Sequence, residues 1–218
     1  QRLVFIDDDC VPEPDWLQQI ALAHAEIPDA AIGGTTVNLL SENSFSAASQ
    51  LLIDFLYLYF QLEEGRKDAF LTTNNASVPR ERFWEIGGFD VGFERAAGED
   101  REFFDRWRFL GDRIVFRPQI VVGHTHWLDF KGFVLQHFCY GQAARRFWLL
   151  KWAREGKRKR VRTGFFQDLL LYPLQRHGLS VKAVTQTFLF VLCQVVNAAG
   201  YLWAWCHERK ASSLVEYQ

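Results

Sequence analysis

Three consecutive carboxylates, Asp7-Asp8-Asp9, close the apolar run Leu3-Val4-Phe5-Ile6 and are the sharpest chemical feature of the chain. Like charges this close repel unless a cation or strong donors neutralise them. Oxygen ligands of this kind suit Mg2+ or Mn2+, ions that bridge protein carboxylates to substrate phosphates. In an extended segment the first and third side chains share a face, so Asp7 and Asp9 are expected to share an ion while Asp8 turns aside. A solvated acidic loop or a helix-capping cluster uses the same residues. A second acidic pair, Glu99-Asp100, opens an amphipathic helix, where the helix dipole alone favours it and where a carboxylate can also serve as a general base. His124-Thr125-His126 places two imidazoles at alternate positions beyond a strand, a pattern that fits metal ligation or phosphate contact as well as a structural role. Thr73-Asn74-Asn75-Ala76 supplies amide donors and acceptors that either position a sugar or build a turn.

These groups need a frame, and the hydrophobic pattern supplies one. Leu3–Ile6 reads as a strand buried on both faces. Asp15 to about Glu26 reads as a helix with Asp15 as cap, and Ala31 to Leu39 as a strand with β-branched Thr35, Thr36 and Val37. A long apolar helix over Phe45 to Leu62 precedes a strand at Phe70 to Thr73. A helix with Pro79 in its first turn then runs to Ile86 and is stopped by Gly87-Gly88. Over Glu99 to Leu110, Phe103, Trp107 and Leu110 share a face opposite Arg101, Asp105 and Arg108. Ile114–Phe116 and Ile120–Val122 are strand-like, and helices follow to the end. Alternating strands and helices predict an α/β sandwich over the first 125 residues or so, with a helical region appended. Ligands in such sheets bind where loops leave the carboxyl ends of strands.

The 218 residues are 49% hydrophobic and 23% charged, which excludes disordered, collagen-like and disulfide-framework classes. Lys and Arg total 25 against 26 Asp and Glu, so no global field draws the molecule to nucleic acid, and any basic surface is local. Cys10, Cys139, Cys193 and Cys206 form no C-x-x-C pair, and a reducing compartment is the simpler expectation. The chain holds no Met and begins Gln1-Arg2, which predicts a longer parent reading frame.

The order of these motifs resembles the inverting nucleotide-sugar glycosyltransferases of family 2, which have a GT-A-like fold. The likeness is carried by VFIDDDCVPEPDWL from Val4, TTNNASVPRERFWEIGGFD from Thr72, GEDREFFDRWRFLG from Gly98, VVGHTHW from Val121 and FVLQHFCYGQAARRF from Phe133. It implies that Asp7 and Asp9, as the D-x-D motif, hold Mn2+ or Mg2+ on the donor diphosphate. It implies further that Asp100, beside Glu99, is the catalytic base and that His124 helps complete the metal or diphosphate site. Asp8, Asn74, Asn75, Gln142, Arg145 and Arg146 are the expected substrate contacts. Residues 1–147 would be the metal and acceptor half of a catalytic domain whose nucleotide-binding first strands are absent, so the isolated chain is expected to be inactive. Gln142-Ala143-Ala144-Arg145-Arg146 only approximates the Q-x-x-R-W pattern of processive synthases, since Arg146 stands in place of tryptophan, and a non-processive enzyme is expected. A metal-dependent nucleotidyl- or phosphotransferase could use the same carboxylates, and a basic membrane- or RNA-binding module would make the acidic clusters structural.

Residues 148–218 read as a basic linker and a helical, membrane-associated region. Arg145, Arg146, Lys151, Arg154, Lys157, Arg158, Lys159, Arg160 and Arg162 face a single Glu155, with Phe147, Trp148, Leu149, Leu150 and Trp152 interleaved. That composition fits an interfacial helix on anionic lipid, or a solvated linker. Ala183 to Cys206 carries no charged residue, long enough to span a bilayer, with a buried or in-plane helix as the competing reading. The expected partners are a nucleotide-sugar donor, a glycan or lipid-linked acceptor and a membrane, with no nucleic acid and with the catalytic domain cytoplasmic.

Overall fold

The computed structural model describes residues 1–62, 70–93, 97–156 and 163–215. Contacts divide the chain into two units, one of Gln1–Val91 with Glu99–Trp127 and the other of Gly92–Gly98 with Leu128–Gln218. The expected boundary after residue 147 falls inside a continuous helix.

The first unit is a mixed sheet of β1 (Arg2–Phe5), β2 (Cys10–Pro12), β3 (Ala31–Asn38), β4 (Ala76–Pro79) and β5 (Ile114–His124), in the order β1-β4-β3-β5-β2. Among the described residues only β3 and β5 run parallel. On one face α1 (Trp16–Glu26) buries Trp16, Ile20 and Ala23 against Ile32, Ile120 and Val122. On the other, Phe83 of α3 (Arg80–Glu85), Phe103, Phe104 and Trp107 of α4 (Glu99–Phe109) and Tyr57 of α2 (Ser44–Leu62) pack on Ala31, Ala76 and Val78. Helices on both faces of a sheet make the expected α/β/α sandwich.

Several local expectations are corrected. No strand forms at Phe70–Thr73; a 3-10 turn occupies Thr73–Asn75 and the strand begins at Ala76, where β1 and β3 both offer pairing. Ile114–Phe116 and Ile120–Val122 are one strand, interrupted where the register with β3 slips between Gly34 and Thr35 and residues 118–120 bulge. Gly34 is required there, because a Cβ would collide with the Ile120 carbonyl. Strand β1 has apolar neighbours on both faces yet is only half-buried, since among the described residues it pairs with β4 alone. The Asp15 carboxylate accepts a hydrogen bond from the Gln19 side chain at 2.9 Å and makes no capping bond to the backbone. Leu110 lies beyond the end of α4 and is exposed. Gly87 and Gly88, at φ of 90° and 63°, end α3 as expected.

The second unit is helical: α5 (Phe130–Glu155), α6 (Thr163–His177) and α7 (Val181–Val215). Helices α5 and α7 touch backbone to backbone at Gly141 and Gly200; a Cβ on Gly141 would strike the Asn197 carbonyl, and one on Gly200 the Phe138 carbonyl. Ala183, Gln186, Phe190 and Cys193 line the buried face of α7, whereas Val184, Phe188, Val191, Val195 and Leu202 are exposed on it. Residues Val181–Glu208 form the one helix among those described that is long and apolar enough to cross a membrane, 28 residues or about 42 Å. Asp129 caps α5 through a bond from the Gly132 amide, and Gly156 ends it in the left-handed conformation at φ 64°. The basic run Lys157–Arg160 with Arg162 lies outside the described residues.

Candidate metal and general-base site

The acidic loop is folded as a turn. The Cys10 amide donates to the Asp7 carbonyl at 3.1 Å, and the extended geometry expected for Asp7-Asp8-Asp9 is therefore replaced by a reversal that sends Asp9 inward. Two bonds fix its position, one from the Thr125 amide at 2.9 Å and one from the Thr125 hydroxyl at 2.7 Å, both to the Asp9 carbonyl. Beyond the turn, β2 pairs with the end of β5, and the whole acidic loop is clipped to His124-Thr125-His126.

Asp9 consequently stands between two imidazoles. One carboxylate oxygen faces His124 Nε2 at 3.2 Å and the other faces His126 Nδ1 at 3.1 Å, with the two rings stacked at 5.2 Å. Burial holds the His124 imidazole below its ordinary pKa, so its neutral, ligating form is favoured. Asp7 and Asp8 are exposed. Although Asp7 is exposed overall, partial desolvation of its carboxyl beside the loop, then repulsion from Asp9, pushes its pKa upward, and His124 partly opposes this. One half-buried carboxylate, a neutral imidazole and neighbouring acidic groups are a donor set that a divalent cation fits.

Asp100 lies in the first turn of α4, after Gly98 at φ 86°. Its pKa is raised to about 6, first by burial and second by the adjacent Glu99 carboxylate; bonds from the Arg101 and Thr73 amides work against the rise. The Arg101 amide bond is 2.6 Å. Asp7 adds a smaller upward push, so the two acidic clusters share one electrostatic neighbourhood. Glu99 Oε2 is buried and has no hydrogen-bond partner among the described residues.

Asn74 and Asn75 serve the frame. Asn75 is fully buried: its Nδ2 donates to the Thr35 and Ile120 carbonyls, both at 2.9 Å, and its Oδ1 accepts from Trp16 Nε1 at 2.9 Å. Asn74 Oδ1 accepts from Thr72 at 2.6 Å and from Thr36 at 3.3 Å, while Tyr57 bonds the Thr72 hydroxyl at 3.1 Å. Through Thr72 this network holds the segment whose next amide bonds Asp100. Gln142, Arg145 and Arg146 belong to the second unit, where Arg145 pairs with Glu208 at 3.0 Å and Arg146 lies over the Phe93 ring.

In the solved structures, the mannosyltransferase PcManGT from Pyrobaculum calidifontis, determined in complex with GDP-Man and Mn2+, matches 93% of this chain at 14% sequence identity and a TM-score of 0.55. The likeness is one of fold. This chain spans 62% of that protein's length. No protein-family model and no curated protein matches the sequence.

Sequence reasoning did not anticipate Cys10 and Tyr57 as participants in this site. Cys10 and Tyr57 became visible only through pairing register and packing. His126 was legible as half of an alternating pair, but its partnership with Asp9 depends on the turn.

Proposed function

We propose that the protein is a metal-dependent, inverting glycosyltransferase of the family 2 kind, which moves a sugar from a nucleotide-diphosphate donor to a hydroxyl of a lipid-linked or polysaccharide acceptor in cell-envelope glycan synthesis, without processive elongation. The observation that carries this reading is the pairing of a cation-ready Asp9 and His124 with a second, half-buried carboxyl, Asp100, whose pKa is raised to about 6. A carboxyl of that pKa is largely ionised at neutral pH and is still basic enough to take a hydroxyl proton. The acceptor hydroxyl would donate to Asp100 and then attack the anomeric carbon in a single displacement, which inverts it. Glu99 Oε2, lacking a protein donor among the described residues, is available to a second acceptor hydroxyl.

Asp9 and His124, with Asp7 nearby, would hold Mn2+ or Mg2+, and His126 would orient the Asp9 carboxylate as an outer partner. The bound cation supplies neutralisation of the charge that develops on the departing nucleoside diphosphate. PcManGT, with the same fold, was solved with a nucleotide sugar and Mn2+, which supports a nucleotide-sugar donor and a Mn2+ site here. Asp8 remains a candidate donor contact on the loop, and Gln142, Arg145 and Arg146 remain candidate acceptor contacts. The exposed apolar face of α7 supports membrane association, with the catalytic unit on the cytoplasmic side where nucleotide sugars are made.

The test is transfer from a panel of radiolabelled nucleotide sugars, with and without Mn2+, by membranes expressing the full-length protein as wild type, Asp9→Asn or Asp100→Asn. Metal-dependent transfer from one donor that both substitutions remove supports the reading, whereas phosphate rather than sugar on the product would replace it with a phosphotransferase.

A further inference from the structure

The donors around Asp9 are not all oxygen. In the antiparallel pairing of β2 with β5, Cys10 stands directly opposite His124, and Val11 opposite Gly123. Side chains opposed in this way project from the same face of the sheet, a few ångströms apart. A carboxylate oxygen of Asp9, the thiol sulfur of Cys10 and a ring nitrogen of His124 all lie within 4.8 Å of one another. All three residues are half-buried, enough to be shielded and still reachable by an ion. Their backbones are fixed by the β2–β5 ladder and by the bonds from Cys10 to Asp7 and from Thr125 to Asp9. Nothing in the packing of β2 requires a thiol at this position, because Val11 and Pro12 beside it are exposed and Cys10 itself meets the core only at its edge.

We propose that Cys10 is a third donor to the cation held by Asp9 and His124, so that the centre is an oxygen, nitrogen and sulfur set that takes Cd2+ and Zn2+ more tightly than Mg2+. The proposal rests on the assignment of Asp9 and His124 as cation ligands. Thiolate and imidazole select softer and borderline metals, while Mg2+ favours oxygen alone and keeps much of its water. On binding, the S–H bond breaks, the sulfur bonds the ion and the proton passes to solvent. Mn2+ is intermediate: it binds the carboxylate and imidazole and gains little from sulfur. Zn2+ at low concentration therefore displaces Mn2+ from the site.

The test is titration of the full chain with CdCl2 and separately with MgCl2, by calorimetry and by the ultraviolet charge-transfer absorption of cadmium thiolate. Wild type, Cys10→Ser, Cys10→Ala, His124→Ala and Asp9→Asn are compared, each checked for folding by circular dichroism. Wild type is expected to bind one Cd2+ with a thiolate band. Both Cys10 substitutions are expected to remove that band and weaken Cd2+ binding roughly tenfold or more, with Mg2+ binding unchanged. A wild type without the band, or a Cys10→Ser protein that keeps band and affinity through the other three cysteines, overturns the proposal. If Asp9→Asn still abolishes Mg2+ and Cd2+ binding in that case, the cation site itself stands. If Asp9→Asn and His124→Ala both bind as wild type does, the assignment of the cation ligands falls, and the proposal falls with it.

Discussion

Replacing Asp100 by Asn should remove catalysis and at the same time stabilise the fold. The Asp100 pKa is raised from 3.8 to about 6, mainly by burial. Between those values the native state keeps a proton that the unfolded chain has already lost, so stability falls as pH rises through this window. Above it, the rise from 3.8 to about 6 corresponds to roughly 3 kcal/mol of native-state cost for carrying the ionised carboxylate. Asn carries no charge to desolvate or to repel Glu99, and its carbonyl still accepts from the Arg101 and Thr73 amides. Weaker bonds to the neutral acceptor return part of the gain, leaving a net stabilisation of about 1–3 kcal/mol at pH 7.5. Denaturant unfolding at pH 7.5 and pH 4.5, on wild type and Asp100→Asn in the same detergent, measures this directly. The variant's advantage should shrink toward zero at the lower pH. A variant that is less stable at pH 7.5, or an advantage that does not change with pH, would refute the argument that Asp100 is a strained, functional carboxylate.

Other outcomes follow from the same geometry. Transfer activity should fall about tenfold per pH unit below about pH 6, as the Asp100 carboxyl takes up its proton, and kcat/KM against pH reads this. Asn75→Ala should destabilise the first unit by about 3 kcal/mol or more, seen as a lower denaturant midpoint, because Trp16 Nε1 and the Thr35 and Ile120 carbonyls each lose a buried partner. Gly200→Leu should separate α5 from α7 and lower the melting temperature of the helical unit, whereas Val195→Leu on the exposed face of the same helix should not.

The parts of the fold legible in the sequence were those set by local pattern. Phe103 and Trp107 on the apolar face of α4, the double glycine ending α3 and the acidic loop after β1 all sit where periodicity and turn chemistry place them. What was not legible depends on partners distant in the chain. Strand β2 is three residues long and ends in proline, too little for any pattern, and exists because the end of β5 offers it a ladder. The strand expected at Phe70–Thr73 moved to Ala76–Pro79 because β1 and β3 are both available to pair there. The juxtaposition of Cys10 with His124 is likewise a register property, invisible along the sequence. For Asp7 and Asp9, the alternation rule of an extended strand does not hold at the turn of Asp7–Cys10.

The central claim is that Asp9 with its cation and Asp100 as base together transfer a sugar. The most direct test is a single-turnover transfer assay with the identified nucleotide sugar and Mn2+, on the full-length protein as wild type, Asp9→Asn and Asp100→Asn, with donor binding measured in parallel. Loss of transfer in both variants, with donor binding weakened in Asp9→Asn and retained in Asp100→Asn, is the predicted result. Transfer at wild-type rates in a folded Asp100→Asn protein would contradict the account.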